Sequence, residues 1–559
     1  MNQLTAKDSP RTAPHHPDFP PGDYPIVYIR GFALGLEAIQ ATTETPFMGF
    51  NLGATKDRQA WDGQIRRLVF ASPLIRLMED HGYRAQDIDP GDVDPGQFGQ
   101  AQPNPSLSYR PRSIIVHRYY DTADPDFARP SLEAFDTAAP SPDDPPTILQ
   151  AAHALKALIE HLHRHTKMPD GQPFAVHLVA HSMGGLIARC LLQHPDLKHT
   201  QAASLINKVF TYATPHGGIA FHGIELPRLI QIQNAHHFHR RFLAELFDQP
   251  GKARSDALQG DFPVRRFFSL IGTNHRDYEA GKGMAARITG PMSDGLVQIS
   301  RAAVQDSPRA HVHRTHGGTY GIVNSEAGFN NLARFLFGRF RLDATFEVNA
   351  LPLPASVQSA KDQGQSIDAS YFFEAAVAPR ANPHQNEPAP VYLTERRKAN
   401  ASAIFRRFDE LIPQGEPTRQ APRLFSIHLD PNRSVTGRDM VVSVELTVSA
   451  TDYAINGQIQ PEHRLAGQRL FSEVFRVRLF PTEPQANPGD TPRTPLQTFQ
   501  WPSDPRAWTL GVVSIAQPFA EADEIHLLPT GSAEQAQFVL PIDRQGFQGR
   551  VVWRLRRHA

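Results

Sequence analysis

The chain has a single cysteine, no surplus of either charge and no long apolar run. Each absence removes a class of protein. Cys190 alone cannot close an intramolecular disulfide or build a cysteine-rich zinc site, so a disulfide-framed secreted scaffold is excluded. The 57 Lys and Arg residues balance 57 Asp and Glu, and the pI is about 7.5. No electrostatic surplus exists to draw the chain onto phosphate backbones, which argues against nucleic acid as a partner. No stretch reaches the roughly 18 consecutive apolar residues of a membrane span, and residues 1–25 have no basic stretch followed by an apolar core. The expectation is a cytoplasmic chain with no transmembrane segment and no classical export signal, with a specialised export route left open.

Proline is the one excess: 49 of 559 residues, against a usual share of about 5%. Its clusters suggest how the chain is divided. Residues 1–24 read as an extended Pro-rich arm, 87–112 and 121–147 as long surface loops, and 346–421 as a Pro-rich linker region. These clusters bound one domain over 25–345 and a second, β-rich domain over 422–559.

Within the first domain, short runs apolar on both faces alternate with helical patterns. Pro25–Ile29, Ser113–Val116, Phe174–Val179, Ile206–Phe210 and Phe267–Ile271 suit strands covered on both sides. Ile148, Ala152, Leu155, Ile159 and Leu162 recur at helical spacing between the second run and the third. Strand, helix and strand in repetition predict an α/β fold around a doubly wound, mostly parallel sheet.

The third run ends in Ala180-His181-Ser182-Met183-Gly184-Gly185 and passes into the helical pattern Leu186–Leu192. In this strand-turn-helix setting a serine becomes a nucleophile on a sharp elbow, where only small residues fit two places before and after it. Ala180 and Gly184 hold those places. The hydroxyl needs a base, and the base needs an acid, in the chain order Ser, Asp, His. Asp294 is the expected acid, because Gly295 permits a tight turn there; Asp277 is its rival. His316 is the expected base, because it opens a Gly-rich loop, whereas His311 and His313 alternate along a strand. The oxyanion donors fall to the backbone N–H of Met183 and of Phe32, the latter just after Gly31. The 26 histidines are scattered, and no metal or other cofactor is expected.

The set Arg30-Gly31-Phe32, Ala180 to Gly185, Thr214-Pro215-His216-Gly217-Gly218, Ser293-Asp294-Gly295-Leu296-Val297 and His316 resembles the lipases and esterases of the α/β-hydrolase superfamily. Among these it is most similar to the GPI inositol-deacylase-like and triacylglycerol-lipase-like serine esterases, over about residues 22–340. The resemblance implies an α/β-hydrolase fold and hydrolysis of carboxylic esters through Ser182, His316 and Asp294. This chain departs from the pattern twice: Arg30 stands where the family has His, and Ala180 replaces the first elbow glycine. His216 is expected to border the site in a structural role. Ile219–Phe247 carries Leu and Phe at helical spacing and is expected to belong to a cap insertion over 219–260, with ordinary helical core as the plainer alternative. An apolar cap implies an acyl-ester or lipid substrate and leaves peripheral membrane contact open. Cys190 is expected to pack as a small apolar residue.

Beyond the linker, Leu424–Leu429, Val441–Val448, Leu470–Leu479, Thr509–Ile515, Gln537–Leu540 and Val551–Leu555 read as strands, with a helix over Ala401–Leu411 before them. The expected architecture is a mainly β, sandwich-like domain. Two other functions stay open: a phospholipase effector acting on membranes, and a catalytically silent hydrolase-fold scaffold.

Overall fold

The computed structural model describes residues 16–31, 54–59, 65–70, 72–86, 108–117, 119, 147–219, 240–247, 256–278, 286, 289–318, 320–380, 391–400, 402–411, 421–434, 436–459, 468–482, 501–515, 524–544 and 546–558. The two-sided apolar runs form one sheet. Its strands are β1 (Ile26–Ile29), β2 (Arg84–Ala85), β3 (Ser113–His117), β4 (Val176–His181), β5 (Ile206–Tyr212), β6 (Phe267–Gly272) and β7 (Arg309–Val312). They lie in the order β2-β3-β1-β4-β5-β6-β7, and every neighbouring pair is parallel.

Successive residues of a strand point to opposite faces, so a two-sided run needs cover on both. Ile26 and Tyr28 enter one core with α1 (Pro73–His81) and α4 (Glu326–Phe337). Val27 and Ile29 enter another with α2 (Ile148–His165) and α3 (Met183–Gln193). A capping box starts α2: Thr147 Oγ1 accepts from the Gln150 amide at 3.2 Å, and Gln150 Oε1 accepts from the Thr147 amide at 2.7 Å. The first part of the chain is therefore a three-layer α/β unit.

Strand order fixes where a site can open. From β1 the chain fills one flank of the sheet with β2 and β3, then α2 carries it across to β4 on the other side of β1. Loops leaving the carboxyl ends of β1 and β4 diverge, which leaves a crevice between them. Gly31 and Ser182 lie at that crevice.

The last part consists of two antiparallel sheets around one core. Its main strands are β8 (Phe340–Ala350), β9 (Ile367–Pro379), β10 (Arg423–Leu429), β11 (Met440–Ile455), β12 (Gln468–Pro481), β13 (Trp508–Ser514), β14 (Gln535–Arg544) and β15 (Phe547–Arg557). The order β10-β8-β15-β14 forms one sheet and β9-β11-β12-β13 the centre of the other. Period-2 alternation makes the sandwich: Val442, Val444, Leu446 and Val448 are buried, while Ser443, Glu445 and Thr447 are only half-buried. The Phe346 and Phe373 rings meet across the core at 5.9 Å.

Three sequence expectations are corrected here. Residues 346–421 are not a linker, since they carry the second half of β8, a helix over Ala355–Asp362 and all of β9, a long strand paired with β11. The domain boundary moves from 345 to Gly338–Arg339, because β8 pairs with β10 and β15 from its first residue. Ala401–Leu411 is not a helix: Ile404–Arg407 pairs with β9, and only Phe408–Leu411 turns helically. Proline content misled because the described prolines of this region, Pro352, Pro354 and Pro379, precede a helix or end a strand, where a missing N–H costs little.

The sandwich is docked closely on the α/β unit. The Phe335 ring of α4 lies 5.8 Å from Phe210, 5.3 Å from Phe268, 5.1 Å from His428 and 5.2 Å from His558. Beside it, Thr394 Oγ1 accepts the His311 amide of β7 at 3.2 Å, and Asn331 Nδ2 donates to the Leu393 carbonyl at 2.9 Å. Phe335→Ala is expected to lower stability by about 3–5 kcal/mol, read by urea unfolding; a loss below about 1 kcal/mol would show that this junction carries little of the fold.

Candidate active site

Ser182 ends β4 and starts α3 with φ 53° and ψ −125°, a conformation non-glycine residues avoid. Such strain costs about 1–3 kcal/mol and persists only where the surroundings impose it. Here they do. The Ser182 amide donates to the Tyr212 carbonyl at 2.9 Å, and its own carbonyl accepts from the Gly185 amide at 3.1 Å. A Cβ at Gly184 would stand 2.3 Å from the Ile29 carbonyl oxygen, and one at Gly31 would stand 2.6 Å from Ser182 Cβ. Ala180 is fully buried beneath the turn.

The loops after β6 and β7 bring the other two residues to the serine. Ser182 Oγ lies 3.0 Å from His316 Nε2, and His316 Nδ1 lies 3.0 Å from Asp294 Oδ2. The second Asp294 oxygen accepts from the amides of Leu296 at 3.0 Å and Val297 at 2.7 Å. Gly295, at φ 102°, turns the chain back against Tyr278 and makes that arrangement reachable. The His316 amide also donates to the Asp294 carbonyl at 2.9 Å, so the two residues are tied through backbone as well. With the carboxylate accepting from Nδ1–H, Nε2 is left with a lone pair facing the hydroxyl. All three side chains are buried.

The rivals lie elsewhere. Asp277 accepts from Asn274 Nδ2 at 2.7 Å, His311 is buried in β7, and His313 is exposed. His216 pairs with Thr211 Oγ1 at 3.2 Å, away from the serine. Met183 opens α3, and first-turn amides have no acceptor within their own helix. Phe32, the other expected oxyanion donor, lies outside the described residues, though Gly31 before it presses directly on Ser182. Of the expected cap over 219–260, residues 220–239 and 248–255 also lie outside them. The helix Arg240–Leu246 within it buries Leu243, and Phe247 follows it into the α/β core, the plainer of the two alternatives.

Residues 144–223 match the family model of the PGAP1-like alpha/beta domain. The matched stretch runs from the start of α2 through the elbow to just past Thr214–Gly218, and it stops short of Asp294 and His316. The resemblance to GPI inositol-deacylase-like enzymes in the sequence motifs thus has support at the elbow itself. No curated protein and no solved structure matches the chain. Among the described residues no cluster of His, Cys, Asp and Glu could hold a metal ion, and no helix is long and apolar enough to cross a membrane.

Three sets of contacts around the elbow were not legible in the sequence. His181 Nε2 lies 2.9 Å from the His316 carbonyl, with the two rings 5.1 Å apart. Burial, and then the neighbouring His316, push the His181 pKa down to about 3, so a neutral imidazole donates its proton to that carbonyl. Tyr119 donates to the Arg30 carbonyl at 3.0 Å, fixing the loop that carries Gly31. Arg189, buried in α3, donates to the carbonyls of His216 at 3.0 Å and Ala257 at 2.9 Å and stacks 4.1 Å over Phe247. Burial lowers its pKa to about 9, which leaves it cationic at neutral pH. Each partner is remote in sequence, and the one available sign was His181's place beside the elbow. Cys190 is buried in the same helix, and burial raises its thiol pKa, as suits an apolar packing residue.

Gly184→Val would drive a side chain into the Ile29 and Arg30 carbonyls. It is expected to abolish the elbow and destabilise the chain by more than about 3 kcal/mol, measured by chemical unfolding. Wild-type stability in that variant would show that β1 and α3 do not meet as closely as described.

Proposed function

We propose that the chain is a serine hydrolase that cleaves carboxylic esters, acyl lipids in particular, through an acyl-enzyme. One observation carries this reading: the unbroken relay from Ser182 Oγ through His316 to Asp294, at 3.0 Å for each step, built on a strained and buried elbow. The hydrolase-type domain matched over 144–223 supports it from an independent direction.

In this mechanism His316 Nε2 takes the hydroxyl proton as Ser182 Oγ attacks the ester carbonyl carbon. The carbonyl oxygen becomes an oxyanion, held by the N–H groups of Met183 and Phe32. Asp294 keeps the imidazolium oriented and compensates its charge in a site shielded from water. His316 then gives the proton to the departing alcohol oxygen, leaving Ser182 acylated. A water molecule repeats the sequence: it loses a proton to His316, attacks the acyl carbon, and Ser182 leaves as the restored hydroxyl. The preference for acyl lipids rests on the family resemblance.

The experiment is a fluorophosphonate probe together with p-nitrophenyl esters of increasing acyl length, triglycerides and phospholipids. Ser182→Ala is expected to lose all labelling and turnover, and Asp294→Asn to lower kcat by about 10⁴-fold. A native chain that takes no label would overturn the hydrolase reading in favour of a silent scaffold. Rates that fall with acyl length would remove the lipid preference, and a preference for phospholipid over the other esters would select the membrane-directed reading. His181→Phe removes the donor to the His316 carbonyl and is expected to cut kcat by up to about tenfold, in line with about 1 kcal/mol for one hydrogen bond, with KM little changed. An unaffected kcat would assign His181 to packing alone.

A further inference from the structure

At the edge of the sheet opposite the nucleophile, a cleft of about 1070 Å³ opens where the α/β unit meets the sandwich. Tyr24, just before β1, His177 near the start of β4, and Asn207 and Lys208 near the start of β5 line its α/β side. The Leu336–Arg339 junction, Asp430–Arg433 and His558 line the other. Nothing in the esterase reading uses these residues.

The charges in this cleft do not cancel. Each acid of the lining already faces an arginine: Asp23 meets Arg112 at 2.9 Å, Asp80 meets Arg76 at 3.5 Å, and Asp430 meets Arg433 at 3.8 Å. Two cations remain. Among the described residues neither Lys208 nor Arg339 has a carboxylate within ion-pair distance, although Arg339 acts on Asp430 at longer range. Lys208 is only 5% exposed, and its ammonium donates to the carbonyls of Phe335 at 3.3 Å and Leu336 at 3.0 Å, which uses two of its three protons.

The polar groups beside it are also incomplete. Asn207 is 3% exposed and its Oδ1 has no partner; His177 is 2% exposed and its Nδ1 has none. A buried polar atom left unpaired costs about 1–3 kcal/mol, and such atoms in native proteins call for a ligand or ordered water. Both residues line a cavity of ligand size with surplus positive charge, where low-dielectric walls concentrate the field.

We propose that this cleft binds a small molecule bearing a phosphate or carboxylate, its oxyanion between Lys208 and Arg339 and its polar groups on Asn207 and His177. Because the lining comes from both parts of the chain, occupancy clamps the sandwich to the α/β unit. Burial, and then nearby Arg266, lower the Lys208 pKa to about 7. His177, His428 and His558 also face Lys208, and burial holds all three well below the usual histidine value. Lys208 is therefore the group that changes charge near neutrality. A bound anion favours its protonated form, so affinity is greatest below that pKa and is lost as pH rises through it.

The test is calorimetric titration of the full chain with sulfate, pyrophosphate and citrate, with sulfate repeated at about pH 6 and about pH 8.5 because its own charge stays constant. At least one probe is expected to bind at one site per chain and to raise the unfolding temperature. Arg339→Ala alters an exposed side chain and is expected to weaken binding about tenfold or more, with fluorophosphonate labelling of Ser182 unchanged. Lys208→Met is expected to weaken it at least as much and to remove the pH dependence. The difference between pyrophosphate and citrate tells phosphate from carboxylate ligands. No binding by any probe would overturn the proposal, as would binding indifferent to Arg339→Ala. The labelling readout is separate, so failure here leaves the esterase reading untouched, and the reverse also holds.

Discussion

The structure depends most on one backbone contact, the approach of α3 to the carboxyl end of β1. Gly184 lies against the Ile29 and Arg30 carbonyls, and Gly31 lies against Ser182 itself. No side chain fits at either place, so the two loops at the topological switch point are pressed together and the serine is held at positive φ. Parallel pairing of β1 with β4 sets the distance, and burial of α3 keeps the turn from relaxing. The Ser182 hydroxyl is thereby presented on a rigid platform, and the strain of its backbone is met by the packing of two strands and a helix.

Asp294 and His316 arrive on the loops after β6 and β7, at the sheet's outer flank. An edge strand has an unpaired row of backbone groups and is free to fray. Here Thr394 takes the β7 amide of His311, and the loop bearing His316 leaves that strand a few residues later. His181 and the Asp294 carbonyl then hold His316 by its backbone. The sandwich thus contributes to the site without touching it, by fixing the strand from which the base loop departs. The same docking creates the charged cleft at the opposite ends of β4 and β5.

Much of this was written in local sequence. Two-sided apolar runs announced buried parallel strands, and Ala180-x-Ser182-x-Gly184 between a strand and a helix announced the elbow, because small residues there answer a steric demand a few residues away. Asp294 and His316 were legible for a similar reason: each stands next to a glycine that shapes its loop. The region 346–421 was misread because proline density was taken for an extended chain. The buried alternation Ala369, Tyr371, Phe373, Ala375 shows instead a strand whose prolines lie outside its paired interior.

The sequence by itself determined the α/β class of the first part and the β class of the last, and it singled out Ser182, Asp294 and His316, which meet at the crevice. Those features follow from periodicity and from residues close together in the chain. Only the tertiary structure decided that the sandwich sits directly on α4 and β7, that His181 and Tyr119 brace the loops of the site, and that Lys208, Asn207 and His177 share a cleft with Arg339. These are meetings of residues far apart in sequence, set by strand order and domain docking, and no local pattern of side chains encodes them.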